Sequence, residues 1–175
     1  MKFSVVVLAA LLSNVALADR PDSDGERRGS RASITVSVNG LACTTSAGAG
    51  AFNAKTWSWG ATNAGSTGGG GGGSTGRVTF ADLSVTKALD GCSPALFRAV
   101  ATGTHFRTLT LTQQDASGNT VAQVEMTDVL VTSWGVGGTA RDPSPDEAVK
   151  FNFAEACVVS GASRVCYDTR RGTVT

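Results

Sequence analysis

The 175-residue sequence is poor in the groups that do chemistry: it holds one His and one Tyr, and only 17% of it is charged. A lone imidazole leaves no second histidine for a metal site, and no Ser/His/Asp arrangement has a motif behind it. The acidic residues are scattered singly, so no carboxylate pair for glycoside chemistry stands out. Residues 68–76 are glycine-rich but lack the G-K-[ST] ending of a phosphate-binding loop, and they lead into a strand pattern instead of a helix N-terminus. The chain therefore reads as no enzyme, with no cofactor and no metal. An excess of charge of one sign is missing too: 15 Lys and Arg stand against 14 Asp and Glu. That balance gives neither nucleic acid nor an anionic membrane a reason to bind. What is present suffices for one domain with its own core, since 41% of the residues are apolar.

Long hydrophobic runs are absent, and the single short one is informative. Lys2 precedes an apolar stretch at residues 5–12, and Ala16-Leu17-Ala18 supplies an A-x-A cleavage site. A membrane helix needs about 20 apolar residues; this run stops at Ser13 and Asn14 and meets Asp19 and Arg20. The expectation is a signal peptide at residues 1–18, cleaved after Ala18, and hence a secreted or extracytoplasmic protein. Loss of Lys2 leaves 14 basic residues against 14 acidic ones. Residues 19–31 are Asp, Arg, Gly and Ser with almost nothing apolar, which reads as a flexible leader that cannot offset its ordering entropy. The domain proper is then residues 32–175.

That domain reads as mainly β. Ile34, Val36 and Val38 alternate with polar residues at the period a half-buried strand requires. Trp57 and Trp59 share a parity and so one strand face, where core or interface packing is their expected role. Val78 and Phe80 share one parity and Leu83 and Val85 the other, which predicts one strand running on through a bulge near Ala81-Asp82. Residues 90–103 change period: Ser93 is the expected N-cap, Pro94 the first helical residue, Gly103 the stop, with Leu96, Phe97 and Val100 on one side. Leu109 and Leu111 alternate with threonines, 115–119 is turn chemistry, and 121–134 is a long strand with a phase slip near Thr127-Asp128. Val149, Phe151 and Phe153 form a further alternating set. Many strands, turn signals and one short helix predict an antiparallel barrel or sandwich.

Four cysteines, Cys43, Cys92, Cys157 and Cys166, are an even set in an exported chain and point to disulfides. Residues 158–165 read as a hairpin whose two-residue turn is Gly161-Ala162, with Gly where a type II′ turn needs it. Counting outward pairs Ser160 with Ser163, Val159 with Arg164, Val158 with Val165 and Cys157 with Cys166. The last is a non-hydrogen-bonded pair with Cα atoms about 4.5 Å apart, within bridging reach. Cys43–Cys92 follows by elimination. The competing readings are four free thiols serving as small core residues, if no leader is removed, and a zinc site, which lacks a C-x-x-C and has His105 as its one imidazole. His105 sits at a strand start and reads as a surface or capping group.

Nine of the 22 glycines lie between Gly60 and Gly76. By composition alone this is a linker-like insertion. Its surroundings are more specific: Trp57-Ser58-Trp59-Gly60, the tract itself, then Phe80, Asp82, Leu83, Thr86-Lys87, Asp90, Ser93-Pro94, Leu96, Thr102-Gly103 and His105. With residues 128–133 and 149–154 after them, they resemble the Hcp (haemolysin-coregulated protein) family of type VI secretion tube proteins over about residues 33–160. The resemblance implies a small antiparallel β-barrel with one helix on its side, closing head to tail into hexameric rings that stack and hold small cargo proteins. It implies that the loop at 61–76 touches a neighbouring ring, with Gly65, Gly68, Gly69, Gly70, Gly71, Gly72, Gly73 and Gly76 as subunit-contact residues whose lack of Cβ permits close approach. The leader and the cysteines motivate a second expectation, a secreted monomeric binding module that engages a surface or host partner.

Overall fold

The computed structural model describes residues 31–65 and 77–175. The proposed signal peptide, nearly all of the leader, and Gly68 to Gly76 lie outside the described residues. The described residues are mainly β with one short helix. In order come β1 (Ser33–Val38), β2 (Thr44–Thr45), β3 (Gly48–Ala49), β4 (Ala51–Ala54), β5 (Thr56–Ser58), β6 (Ala61–Asn63), β7 (Val78–Phe80) and β8 (Leu83–Ala88). The helix α1 (Ser93–Thr102) follows, then β9 (His105–Gln114), β10 (Thr120–Gly137), β11 (Asp146–Asn152), β12 (Glu155–Ser160), β13 (Ser163–Asp168) and β14 (Thr173–Val174).

All of the pairings among the described residues are antiparallel, and the long β10 organises the main sheet. On one side it pairs with β9, which pairs with β1, which pairs with β4. Its other side is shared in tandem: residues 123–127 take β12 and residues 130–137 take β11. From β11 the ladder continues to β8 and then β5, and from β12 to β13 and β14. The handover falls at Asp128, whose φ of 51° is the one positive value at a non-glycine residue among the described residues. Before it Val124 and Met126 point inward; after it Val129 and Val131 do. This is the phase slip expected near Thr127-Asp128, and it lets one strand serve two partners on one edge.

The alternation in the sequence becomes rows of apolar side chains crossing the sheet. One row runs Val36, Leu111, Val124, Val158, Val165 and the next runs Val38, Leu109, Met126, Ala156, Tyr167, Val174. The first members of each row are buried, and with Phe52, Leu83, Val85, Val149 and Phe151 they form one core. The far members, Val158 on β12 and those on β13 and β14, lie outside it.

Three local expectations need correction. The residues around 77–85 do not form one bulged strand: β7 pairs with β6 in a small sheet of its own, and β8 joins the main sheet. The parity change at Ala81-Asp82 marks a change of sheet, held by Asp82, whose carboxylate accepts from Thr132 Oγ1 at 2.6 Å and Asn152 Nδ2 at 2.8 Å. The helix N-cap is Cys92, not Ser93; the Ser93 hydroxyl is occupied locally, accepting from the Asp90 N–H at 2.9 Å. The buried helix face is Ser93, Leu96 and Ala99, while Phe97 is 54% exposed. Gly103 does end the helix, at φ 63°, which only residues without a Cβ adopt readily.

Candidate functional site

Two regions at opposite ends of β10 concentrate the features that packing alone does not explain. The first is the helix end. Lys87 and Glu147, 0% and 1% exposed, are buried charges and sit 2.7 Å apart. The Lys87 ammonium also reaches Asp90 at 2.8 Å, the Ala88 carbonyl at 2.9 Å and Ser93 Oγ at 3.3 Å, with the Phe52 ring centroid 5.2 Å away. The second Glu147 oxygen accepts from Trp134 Nε1 at 3.2 Å. Every polar atom of the pair thus has a partner, the condition under which buried charges are tolerated. The network joins β8, β11 and the start of α1. Cys43 and Cys92 close it covalently, with Cα atoms 5.0 Å apart.

The second region is a flap made of β12, β13 and β14. Its hairpin has the expected register, Ser160 opposite Ser163 through Cys157 opposite Cys166, and Gly161 takes φ 57° in the turn. Cys157 and Cys166 are bonded with Cα atoms 3.9 Å apart, closer than the spacing expected of such a pair. Glu155 brings a third ligand-type atom within 4.8 Å of both sulfurs, but bonded sulfurs offer no thiolate to a metal. The flap is fastened to the body by aromatic rings: Tyr167 lies 5.0 Å from Phe80, which stacks on Trp59 at 5.7 Å, with Phe153 edge-on to both. At its base, Asp128 accepts from Arg170 at 2.8 Å and is 2.8 Å from His105 Nδ1. The hydrogen bond to His105, then the charge of Arg170, holds the Asp128 carboxyl below the usual aspartate value.

Other residues singled out in the sequence fall outside both regions. Trp57 donates to Gln113 at 2.8 Å and packs half-buried on the core. Gly65 is exposed, its N–H bonded to Asn63 Oδ1 at 2.8 Å. The cleft beside the helix, about 200 Å³, is below the size of ordinary small-molecule sites. Sequence reasoning passed over Glu147 and gave Lys87 no role; the available signal was that both interrupt apolar parities, Val85 to Lys87 and Glu147 to Val149.

The family model described as "Type VI secretion system effector, Hcp" matches residues 31–158. The chain belongs to the Hcp family. A curated relative, Protein hcp1 of Pseudomonas aeruginosa, is 37% identical over 85 residues, which is 47% of this chain and 52% of that protein; the match spans about half of the relative's length. Among solved structures, one described as a type six secretion system protein aligns with TM-score 0.73 at 21% identity, covering 82% of this chain and 99% of the other. The crystal structure of Hcp1 from Salmonella typhimurium aligns with TM-score 0.69 at 19% identity, covering 83% and 99%. At these identities the structures speak for the fold. The Hcp match ends at Val158, so β13, β14 and the disulfide to Cys166 lie beyond it.

Proposed function

We propose that this chain is a ring-forming Hcp tube subunit that is exported through a cleaved leader, the mature protein beginning after Ala18. The observation that carries the reading is the family match across residues 31–158, which spans nearly all of the strands and the helix. A barrel as the unit of the ring is supported by the ladders: β4 and β5 are separated by Lys55 alone, whose N–H donates to the Thr86 carbonyl at 2.7 Å, between the β1–β4 and β5–β8 pairings. A head-to-tail hexamer is the assembly, with small proteins as cargo in its lumen. The loop carrying Gly65 and residues 68–76 is the contact to a stacked ring. The near-neutral charge supports self-association over nucleic acid or membrane binding.

A second reading is a secreted monomeric binding module. Cys43–Cys92 and Cys157–Cys166 favour it, because disulfides persist where no reducing cytosol acts on them. Light scattering and negative-stain imaging of the purified mature protein separate the two. Six-subunit rings are expected; a monodisperse monomer at high concentration overturns the ring. Intact mass of exported material should lack residues 1–18 and four hydrogens, and free thiols throughout would remove the export argument.

A further inference from the structure

Residues directly opposite on antiparallel strands project from the same face of a sheet, as do residues two apart along one strand. On β12 and β13 this gathers Glu155 with Asp168 and Cys157 with Cys166. The next strand adds Glu125, opposite Cys157. The face turned away from the core residues Val124, Met126 and Ala156 thus collects two cysteines and three carboxylates.

The three carboxylates are not equivalent. Glu125 is taken by Arg164, at 3.0 and 3.2 Å, and by Gln123 Nε2 at 2.9 Å. Asp168 Oδ1 accepts from the N–H groups of Arg170 and Arg171 at 2.8 and 3.0 Å. The half-buried Glu155 carboxylate has no ion pair and accepts no hydrogen bond among the described residues, and it brings an oxygen within 4.8 Å of both sulfurs. Cys43–Cys92 provides the contrast, since no third ligand atom completes such a group there among the described residues.

While bonded, the sulfurs have nothing to give a metal. A dithiol reductant changes that: exchange breaks the S–S bond, leaves two thiols on the hairpin and converts the reductant to its own disulfide. The thiols stay opposed, because Val158 with Val165 and Ala156 with Tyr167 hold the register on either side and β12 remains paired with β10. Opposed residues have Cβ atoms about 4.5–5.5 Å apart. Two thiolates on one zinc ion stand about 3.8 Å apart, given a Zn–S bond of about 2.3 Å. Rotation about χ1 is enough to bring both sulfurs to one ion.

We propose that the reduced hairpin is a zinc-type site, in which the Cys157 and Cys166 thiolates and the Glu155 carboxylate hold one divalent ion and leave its fourth position to water. Thiolates select such an ion over magnesium or calcium. Binding releases the two thiol protons. Arg164, on the same face, offsets the negative charge of the three ligands. Oxidation runs the reverse course: the thiolates pass two electrons to an acceptor disulfide, the S–S bond forms and the ion leaves. The hairpin is thereby crosslinked by metal in reducing surroundings and by sulfur in oxidising ones, whether or not the chain forms rings. The sequence conceals the site because its cysteines are nine residues apart and meet only across the turn.

The test uses the mature protein, reduced with a phosphine, desalted and kept under argon, with Co²⁺ as the probe and Zn²⁺ as its competitor. One Co²⁺ per chain is expected, with a thiolate-to-metal charge-transfer band and tetrahedral visible bands that Zn²⁺ abolishes; the oxidised protein should show neither. Glu155→Gln should weaken Co²⁺ binding at least about tenfold, since even groups that only orient ligands are worth ten- to hundredfold. Cys157→Ser with Cys166→Ser should abolish the charge-transfer band. If circular dichroism shows that this double variant has lost its fold, alkylation rates in the reduced wild type decide instead: Zn²⁺ should slow the reaction at Cys157 and Cys166 and leave Cys43 and Cys92 unchanged. A reduced wild type that takes no Co²⁺, a band that survives in the folded serine variant, or equal slowing at all four cysteines overturns the site. An unaltered affinity in Glu155→Gln overturns the three-ligand assignment.

Discussion

The helix end and the flap are each closed by a disulfide and each carry exposed apolar side chains, yet they are built on opposite principles. The helix end is held by long-range contacts: Cys43 and Cys92 are 49 residues apart, and Lys87 and Glu147 are 60 apart. The flap's disulfide is local, with Cys157 and Cys166 separated by nine residues within a single hairpin, while Tyr167 on Phe80 and Arg170 on Asp128 fasten that hairpin to the body. The crosslink of the first region therefore depends on the tertiary fold, and that of the second on its own turn. Damage to the helix end should therefore reach the whole core, while damage to the flap should stay local.

The largest expected effect comes from stranding one member of the buried ion pair. Lys87→Met leaves the Glu147 carboxylate buried without its cation, a change that costs about 3–5 kcal/mol, read from urea unfolding. The double change Lys87→Met with Glu147→Leu should recover most of that loss. If the single variant unfolds no more easily than wild type, the pair is not what ties α1 to the sheet.

Next in size is loss of Cys43–Cys92. In the chain-entropy picture a loop of this length is worth about 4 kcal/mol and the hairpin loop about 2.5 kcal/mol. Cys43→Ala with Cys92→Ala should thus lower the midpoint of global unfolding more than Cys157→Ala with Cys166→Ala. The flap pair should also speed amide exchange in β13 and β14 while leaving β1 and β9 protected. Equal global losses from both double variants would erase the contrast between the regions.

The smallest effects belong to exposed charges on the flap. Arg164 and Glu125 are 3.0 Å apart and substantially exposed, so Arg164→Ala should cost no more than about 1 kcal/mol, seen as a small shift in thermal unfolding. Asp128 has its carboxyl held below the usual aspartate value by His105 and then Arg170. A depressed native value stabilises the fold above the unfolded aspartate range and loses that contribution as pH falls through the native value. His105→Ala should raise the Asp128 titration midpoint, measured by carboxyl NMR; an unchanged midpoint would sever the link between the flap base and β9.

Much of this architecture is legible in one sequence because its signals are local. The alternation at Ile34, Val36 and Val38 gives β1, the slip at Thr127-Asp128 gives the handover in β10, and Gly161-Ala162 sets the hairpin register that brings Cys157 to Cys166. Local signals failed where a non-local partner decided the outcome. The parity change at Ala81-Asp82 reads equally well as a bulge or as a move to another sheet, and the neighbours of β7 and β8 chose the move. Ser93 has the chemistry of an N-cap, but Asp90 and Lys87 claim its hydroxyl. The subunit-contact role of Gly65 and of residues 68–76 stays a proposal that rests on the family.

By itself, then, the sequence determined the long strands β1, β9 and β10, where the helix ends, how β12 pairs with β13 and which family the chain resembles. Periodicity, turn residues and ordered motifs all act over short range and survive in one dimension. Only the tertiary structure decided which apolar faces are covered. Val124 and Val158 belong to one row and read alike in the sequence, yet one is 3% exposed and the other 52%. The difference is made by whatever lies across the sheet from each, and nothing in the residues adjacent along the chain encodes it. The same holds for Lys87 and Glu147, which become a pair only when β8 and β11 lie side by side.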